Sequence, residues 1–388
     1  MADVDVRVPA RSAPGALVAP GPELTAEEVA RYHRHLLLPE LGVTGQRRLK
    51  NVRALVVGAG GLGAPVLTYL AAAGFGTVGV VDDDVVEASN LQRQVLFGTD
   101  DVGRPKVEVT AERLRAINPL VTVRTHRERV TADSALDLFR DYDLVLDGTD
   151  NFATRYLVND ACVLLGLPYV WGSVFRWEGQ VSVFWAGHGP QYRDLYPEAP
   201  PAGLVPSCAE GGVLGALCSM IGSAMAAEAV KLVTGAGEPL LGHLLTLDAL
   251  SMRWRRMAVP VHGSTVRVTS LTEVDYAAVC ALPAPAKAAD GLTVAALRDA
   301  LGSGEVSAVV DVREVHEHEI GAIDGSVLIP RRQLTGGAWR TLPREGVVVL
   351  YCQSGVRSGA CVEALREHGV TNVVSLVGGM EAWTRSAP

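Results

Sequence analysis

The stretch Arg53-Ala-Leu-Val-Val-Gly58-Ala-Gly60-Gly61-Leu-Gly63 decides how this chain folds. An apolar, largely β-branched run ends at Gly58. Gly58, Gly60 and Gly63 then fall at the spacing G-x-G-x-x-G, with Gly61 inside it. A small-residue helical pattern follows from Ala64 to Ala73, and a second apolar run, Thr77 to Val81, ends in Asp82-Asp83-Asp84. Strand, glycine turn, helix, strand and acidic residues form the opening unit of a doubly wound α/β nucleotide-binding sheet. Glycines let the backbone approach phosphate without Cβ clashes, and the helix N-terminus aims unpaired N–H groups at the anion. A carboxylate after the second strand accepts ribose hydroxyl protons. The pattern specifies a nucleotide, not which one.

Working outward, 388 residues predict two domains rather than one core. A net charge of −8 argues against a general nucleic-acid binder. No apolar run of membrane-spanning length is free of Gly or charge, so no membrane association is expected. Residues 1–23 read as a disordered tail without a signal peptide. Six cysteines, scattered without paired spacing, fit a reduced, cytoplasmic protein.

Thr25 and Glu28 form a capping-box pattern opening a helix from Glu27 to about Leu38, which carries Arg34. Arg34 is either a phosphate-facing cation or a plain surface charge. After the acidic strand end, Asn90, Gln92 and Arg93 make a donor-rich loop able to bond ribose or phosphate. Lys106 sits at the start of a helix, against the dipole's preference, which hints at an anionic partner. The stretch Tyr142-Asp-Leu-Val-Leu-Asp147-Gly-Thr-Asp150-Asn151 reads as a buried strand ending in a polar cluster, with Asp147, Asp150 and Asn151 expected on the same rim as Gly58 and Asp82. A rim aspartate suits Mg²⁺ held with nucleotide phosphates. The Pro-rich loop from 187 to 212 ends Pro206-Ser-Cys208-Ala-Glu-Gly-Gly212, directly before a helix expected from Val213 whose dipole would favour the Cys208 thiolate.

Residues 262–289 read as a linker. Beyond it, the strand Val347–Tyr351 runs into Cys352-Gln-Ser-Gly-Val-Arg357-Ser, with a helix after it. Strand, cysteine, tight loop and helix make an anion cradle converging on sulfur, so Cys352 is expected as a stabilised thiolate and Arg357 as its cation.

With these residues quoted, residues 24–261 resemble the ubiquitin-activating-enzyme superfamily in its bacterial form, the adenylyltransferases of molybdopterin and thiamin biosynthesis. The resemblance rests on Arg31-Tyr-x-Arg34, Gly58-x-Gly-Gly-Leu-Gly63, Val81-Asp82-x-Asp84, Ser89-Asn-Leu-Gln-Arg-Gln94, Gly103-x-Pro-Lys106 and Asp147-x-Thr-Asp150-Asn151. Residues 290–388 resemble a rhodanese domain through Asp311-Val-Arg313-Glu, His318-Glu-x-Gly-x-Ile-x-Gly325, the Cys352 loop and Gly378-Gly-Met-x-Ala-Trp383. The implied fold is a Rossmann-like adenylation domain with a mixed sheet, plus a smaller α/β rhodanese domain.

The resemblance also implies a reaction. ATP with Mg²⁺ adenylates the C-terminal Gly-Gly carboxylate of a ubiquitin-like sulfur-carrier protein, and sulfur from a Cys352 persulfide then gives the thiocarboxylate. By the same implication Gly58, Gly60, Gly61 and Gly63 cradle phosphate, Asp82 and Asp84 hold the ribose region, and Asn90 and Gln92 contact the nucleotide. Arg34, Arg93 and Lys106 neutralise the triphosphate, with Arg34 reaching a neighbour's ATP in a homodimer. Asp150, beside Asn151, holds Mg²⁺, and Cys208 accepts the acyl group or resolves the persulfide. Thiosulfate or a cysteine desulfurase supplies the sulfur. Many relatives bind zinc through two C-x-x-C pairs. Here the first place reads Gln191-Tyr-Arg-Asp194 and the second, around 259–264, has no cysteine, so no zinc is expected.

Two competing readings exist. An NAD(P)-dependent oxidoreductase would use the same glycine turn but leaves Arg34, Arg93, Lys106 and Asp150 unexplained. A non-catalytic scaffold for the carrier leaves the cysteine cradle unexplained. A phosphatase is disfavoured because related phosphatase loops are longer between Cys and Arg.

Overall fold

The five residues Arg53–Val57 form β1, and the first sheet grows from it in both directions. In the computed structural model, residues 15–199, 212–263, 265–276 and 291–386 are described. They belong to two units, Met1–Cys280 and Ala281–Pro388. The strands of the first are β2 (Thr77–Val81), β3 (Thr122–His126), β4 (Leu144–Asp147), β5 (Tyr169–Phe175), β6 (Glu178–Phe184), β7 (His243–Asp248) and β8 (Arg253–Ala258). Their order is β3-β2-β1-β4-β5-β6-β7-β8. Pairing is parallel as far as β5 and antiparallel beyond it, so the sheet is mixed. The chain runs outward from β1 to β3, then returns to β4 on the other flank of β1. That reversal opens a crevice above the carboxyl ends of β1 and β4, where Gly58 and Gly148 lie.

β1, β2 and β4 are nearly continuous apolar runs because both their faces are covered. Val56, Val78 and Val80 pack with helices Gly63–Ala73 and Gly215–Thr234 on one face. Leu55, Val57, Val81 and Val145 pack with helix Phe152–Leu165 on the other. Among the described helices, Gly215–Thr234 alone has the length and apolarity to cross a membrane. Here it is a core helix: Leu217, Ile221, Met225, Ala229 and Val233 are fully buried.

Three sequence expectations change in this unit. The helix foreseen over 27–38 is two short helices, Ala26–Arg31 and His33–Leu36, separated at Tyr32. The Tyr32 ring is buried against Gly74, where a Cβ would lie 2.4 Å from the ring, and its hydroxyl accepts from Asn118. The capping box itself forms, with Glu28 N–H donating to Thr25 Oγ1 at 3.2 Å and Thr25 N–H to Glu28 Oε2 at 2.7 Å. Residues 15–23, expected in the disordered tail, lie along the body, Leu17 N–H donating to Leu232 O and Gly21 N–H to Arg47 O. Residues 265–276, expected in the linker, pack on the first unit through Val268, Leu271 and Tyr276. Residues 277–290 lie outside the described part.

The second unit has strands β9 (Gly291–Leu292), β10 (Val306–Asp311), β11 (Val327–Leu328), β12 (Val347–Tyr351) and β13 (Val373–Leu376), all parallel, in the order β11-β10-β12-β13-β9. Two apolar clusters flank this smaller α/β sheet.

Candidate active site

The crevice at β1 and β4 is a cavity of about 950 Å³, at the upper end of small-molecule pockets. Gly58, Gly60 and Gly61 line it with Asp82 and Asp84. Asn90, Arg93, Lys106, Asp150 and Asn151, also expected at the site, line it as well. Asp82 organises the turn: one carboxylate oxygen accepts from Ala59 N–H and the other from Asp84 N–H, each at 2.8 Å. Burial pushes the Asp82 carboxyl up, against the pull of Lys106 and those two donors. Lys106 is 4% exposed and places Nζ 2.8 Å from Asp84 Oδ2, so the cation arrives at the cavity already held. Arg93 donates to Ser89 O at 3.1 Å and lies against Gly61, where a Cβ would meet its Cγ at 3.4 Å.

Four expected site residues are placed differently. Gly63 does not line the cavity. A Cβ there would lie 1.9 Å from Gly58 O, so this glycine serves the close packing of the helix on the turn. Gln92 and Arg34 are exposed and do not line the cavity of their own chain. Asp147, expected on the rim, is fully buried beneath it, where Oδ1 accepts from Thr149 N–H at 3.0 Å and Thr149 Oγ1 at 2.7 Å. Asn151 lines the cavity but spends its Oδ1 as the N-cap of helix Phe152–Leu165, accepting from Thr154 N–H at 2.8 Å. Cys208 lies outside the described residues.

Three further residues join the site. Gln94 is 4% exposed, lines the cavity, and its Oε1 has no hydrogen-bond partner among the described residues. Its signal was present as the last residue of the Ser89–Gln94 loop. Arg155, also lining, donates Nε and Nη2 to Thr149 O at 3.2 and 3.0 Å and so fixes the loop that carries Asp150. The Cys218 thiol reaches the cavity wall, 3.0 Å from where a Cβ on Gly61 would be. The Asp82–Asp84 carboxylates cluster within 4.8 Å, yet Asp84 is paired with Lys106 and Asp83 with Arg129.

In the second unit Cys352 follows β12 and is fully buried. Gly355 N–H donates to its Sγ at 3.2 Å, and Ser358 Oγ lies 3.7 Å away. The following helix, Val356–Glu367, begins earlier than the sequence suggested, putting Arg357 in its first turn. Arg357 forms a two-bond pair with Glu317. Below the loop, Met380 N–H donates to Cys352 O and Glu381 N–H to Gln353 O, at 2.8 and 3.0 Å. Gly379 permits this approach: its φ is +55°, and a Cβ would lie 2.3 Å from Cys352 O. Asp311 accepts from the Arg313 guanidinium and pairs with His318 Nδ1 at 2.9 Å.

A nucleotide crevice at a sheet switch point, followed by a cysteine cradle on a second parallel sheet, defines an adenylyl-transfer unit joined to a sulfur-transfer unit. The chain belongs to the ThiF family, which its residues 32–266 match, and its residues 293–386 match the rhodanese-like domain. It is an adenylyltransferase and sulfurtransferase, as its relatives are named. It is 54% identical to a probable adenylyltransferase/sulfurtransferase MoeZ of Mycobacterium tuberculosis, over 95% of this chain and 96% of that one. It is 54% identical to the sulfur carrier protein adenylyltransferase of Thermus thermophilus, over 66% of this chain and 98% of that one. The mouse adenylyltransferase and sulfurtransferase MOCS3 is 40% identical, over 94% of this chain and 87% of its own. Among solved structures, E. coli MccB with ATP shares the fold, with TM-score 0.54 at 22% identity, over 63% of this chain and 75% of that one.

Proposed function

We propose that this chain activates the C-terminal carboxylate of a ubiquitin-like sulfur-carrier protein as an acyl-adenylate and converts it to a thiocarboxylate. The observation that carries the reading is the crevice itself, where a glycine turn, Lys106 and Arg93 meet at one cavity while the same chain holds Cys352 in an N–H cradle. ATP lies along Gly58, Gly60 and Gly61, with its ribose at Asp82. A carrier carboxylate oxygen attacks the α-phosphorus, the bond to the pyrophosphate oxygen breaks, and Arg93 and Lys106 stabilise the charge that develops. Magnesium fits this donor set, since Asp150 presents an exposed carboxylate at the cavity edge. When bound with the nucleotide, that ion neutralises phosphate charge. Arg34, exposed and away from its own cavity, acts from a second copy of the chain in a homodimer.

The Cys352 persulfide sulfur then attacks the acyl carbon and AMP leaves. Attack of the Cys208 thiolate on the acyl disulfide releases the thiocarboxylate, leaving a Cys208–Cys352 disulfide for a thiol to reduce. Thiosulfate or a cysteine desulfurase reloads Cys352. The enzyme works in the cytoplasm and uses no zinc, because the places that carry cysteine pairs in zinc-binding relatives, 191–194 and 259–264, hold no cysteine here. Tightly bound stoichiometric zinc in the purified protein would overturn that last point.

The test is mass spectrometry of a Gly-Gly-ending carrier after incubation with the enzyme, ATP, Mg²⁺ and thiosulfate, with ATP–pyrophosphate exchange measured in parallel. Carrier-dependent exchange and a thiocarboxylate mass are expected. Cys352→Ala should keep exchange and lose the thiocarboxylate. Absence of exchange with every Gly-Gly carrier tried would defeat the reading.

A further inference from the structure

The Cys352 loop carries its own neutralising charges. Arg357 Nη1 donates to Glu317 Oε2 at 2.8 Å and Nη2 to Oε1 at 2.7 Å. Both side chains are mostly withdrawn from water, at 14% and 21% exposure. A second guanidinium at this loop, Arg313, spends Nε and Nη2 on Asp311 at 3.0 and 2.8 Å. Its Nη1 donates to Gln353 Oε1 at 3.3 Å. Arg357 and Arg313 are thus each matched by a carboxylate, and the groups seen bonded to the Cys352 sulfur among the described residues, Gly355 N–H and Ser358 O–H, are neutral.

Glu317 is also held in place by the backbone. It is the capping-box residue of helix Val315–Ile320 and accepts from Glu314 N–H at 2.9 Å. Burial works to raise its carboxyl, but Arg357 and that N–H hold it below the usual range. It is therefore a carboxylate at neutral pH.

We propose that Glu317 sets the sulfur-donor preference of Cys352, favouring a thiol-borne persulfide over the thiosulfate dianion. The proposal rests on the reading of Cys352 as the sulfur-carrying residue. With a persulfide, the Cys352 thiolate attacks the outer sulfur of R–S–SH. The new S–S bond forms on Cys352, the bond to the R–S sulfur breaks, and RS⁻ leaves with that electron pair. With thiosulfate the same attack expels sulfite, a dianion, past the loop. While Glu317 is paired with Arg357 the guanidinium charge is already offset, so both the incoming dianion and the departing sulfite meet a net-neutral pair whose carboxylate opposes them. A persulfide carries at most one negative charge at the sulfur it transfers and expels a thiolate monoanion, so it makes a smaller demand on Arg357.

The experiment measures thiocyanate formed from cyanide by the full chain, with thiosulfate or cysteine persulfide as donor. Wild type should show kcat/KM at least about tenfold higher for cysteine persulfide, the size of effect one unscreened charge contact produces. Glu317→Gln keeps a capping acceptor and removes the charge. It should raise kcat/KM for thiosulfate about tenfold, chiefly through KM, and leave cysteine persulfide within about twofold. Arg357→Gln, which leaves Glu317 unpaired, should lower thiosulfate use further relative to persulfide. A wild-type preference for thiosulfate, an unchanged or lower thiosulfate rate in Glu317→Gln, or equal changes for both donors would overturn the proposal. Cys352→Ala separates the two layers: if it still turns over either donor, the sulfur-carrying reading itself fails, whatever Glu317→Gln does.

Discussion

At the end of β4, Asp147 is a carboxylate with no water to face. Its Oδ2 has no hydrogen-bond partner among the described residues. Trp171, its partner in the β4–β5 register, has a buried Nε1 in the same condition. Burial pushes the Asp147 carboxyl up, opposed by Arg155 and the Thr149 donors. A carboxyl raised by folding makes the folded state hold its proton more tightly than the unfolded state does. Its contribution therefore favours folding at acid pH and turns against it as pH rises from about 4. Asp147→Asn keeps an oxygen for Thr149 and removes the titration. Its stability relative to wild type should grow as pH is raised from about 4, read by denaturant unfolding across that range. A pH-independent difference would contradict the assignment. Lys106 acts on charge instead of stability. Its pairing with the mostly exposed Asp84 leaves a solvated acid when it is removed, so Lys106→Met should fold normally. Carrier-dependent ATP–pyrophosphate exchange should fall by about 10² or more, as for loss of one preorganised donor to developing charge. A loss under threefold would remove Lys106 from the transition state.

Turns and helix starts carry the next level of constraint. Gly63→Ala drives a Cβ to within 1.9 Å of Gly58 O, and a backbone oxygen in a packed turn has no room to yield. The variant should destabilise the first unit by roughly 2–3 kcal/mol and abolish nucleotide protection of its melting. A melt unchanged from wild type would show that the helix start can slide. Gly379→Ala poses the same clash against Cys352 O in the other unit, compounded by a φ of +55°. It should impair sulfur transfer and leave exchange intact. These glycines were legible in the sequence because strand, turn and helix are local signals, and so were β1, β2, β4, β12 and the Cys352 loop. Two-residue strands such as β9 and β11 were not, since nothing but neighbouring strands defines them. Arg155 and Glu317 escaped functional notice for a related reason, and Gln94 was seen only as one donor in its loop. A Gln or Arg shows its role only when burial removes its water, and Glu317 only when Arg357, 40 residues away, closes on it. Asp147 misled in the opposite direction, because a polar residue at a strand end reads as rim when its side chain can equally turn inward.

Across the whole chain, the first unit is closed by one buried acid. Asp160 is fully buried and accepts from Arg193 Nε and Nη2 at 2.8 and 2.6 Å, from Asn159 Nδ2 at 2.8 Å and from Tyr276 Oη at 2.8 Å. Beside it, Asp194 accepts from His262 N–H at 2.9 Å and from the Thr265 hydroxyl. These bonds tie residues 191–194 to His262, Thr265 and Tyr276. Tyr276 is also part of the nucleotide cavity wall. Cutting the network should therefore loosen the site as well as the fold. Asp160→Ala strands the buried Arg193 guanidinium and frees Tyr276, at a cost of about 3–5 kcal/mol. The expected result is a lower melting temperature for the first unit and weaker stabilisation by ATP, seen in thermal melts with and without nucleotide. Transfer of sulfur from cysteine persulfide to cyanide should stay at the wild-type rate below that melt, because Cys352, Gly355, Ser358 and the Arg357–Glu317 pair belong to the other unit. Sulfur transfer falling in step with ATP stabilisation would instead mean that the two chemistries share a folding unit.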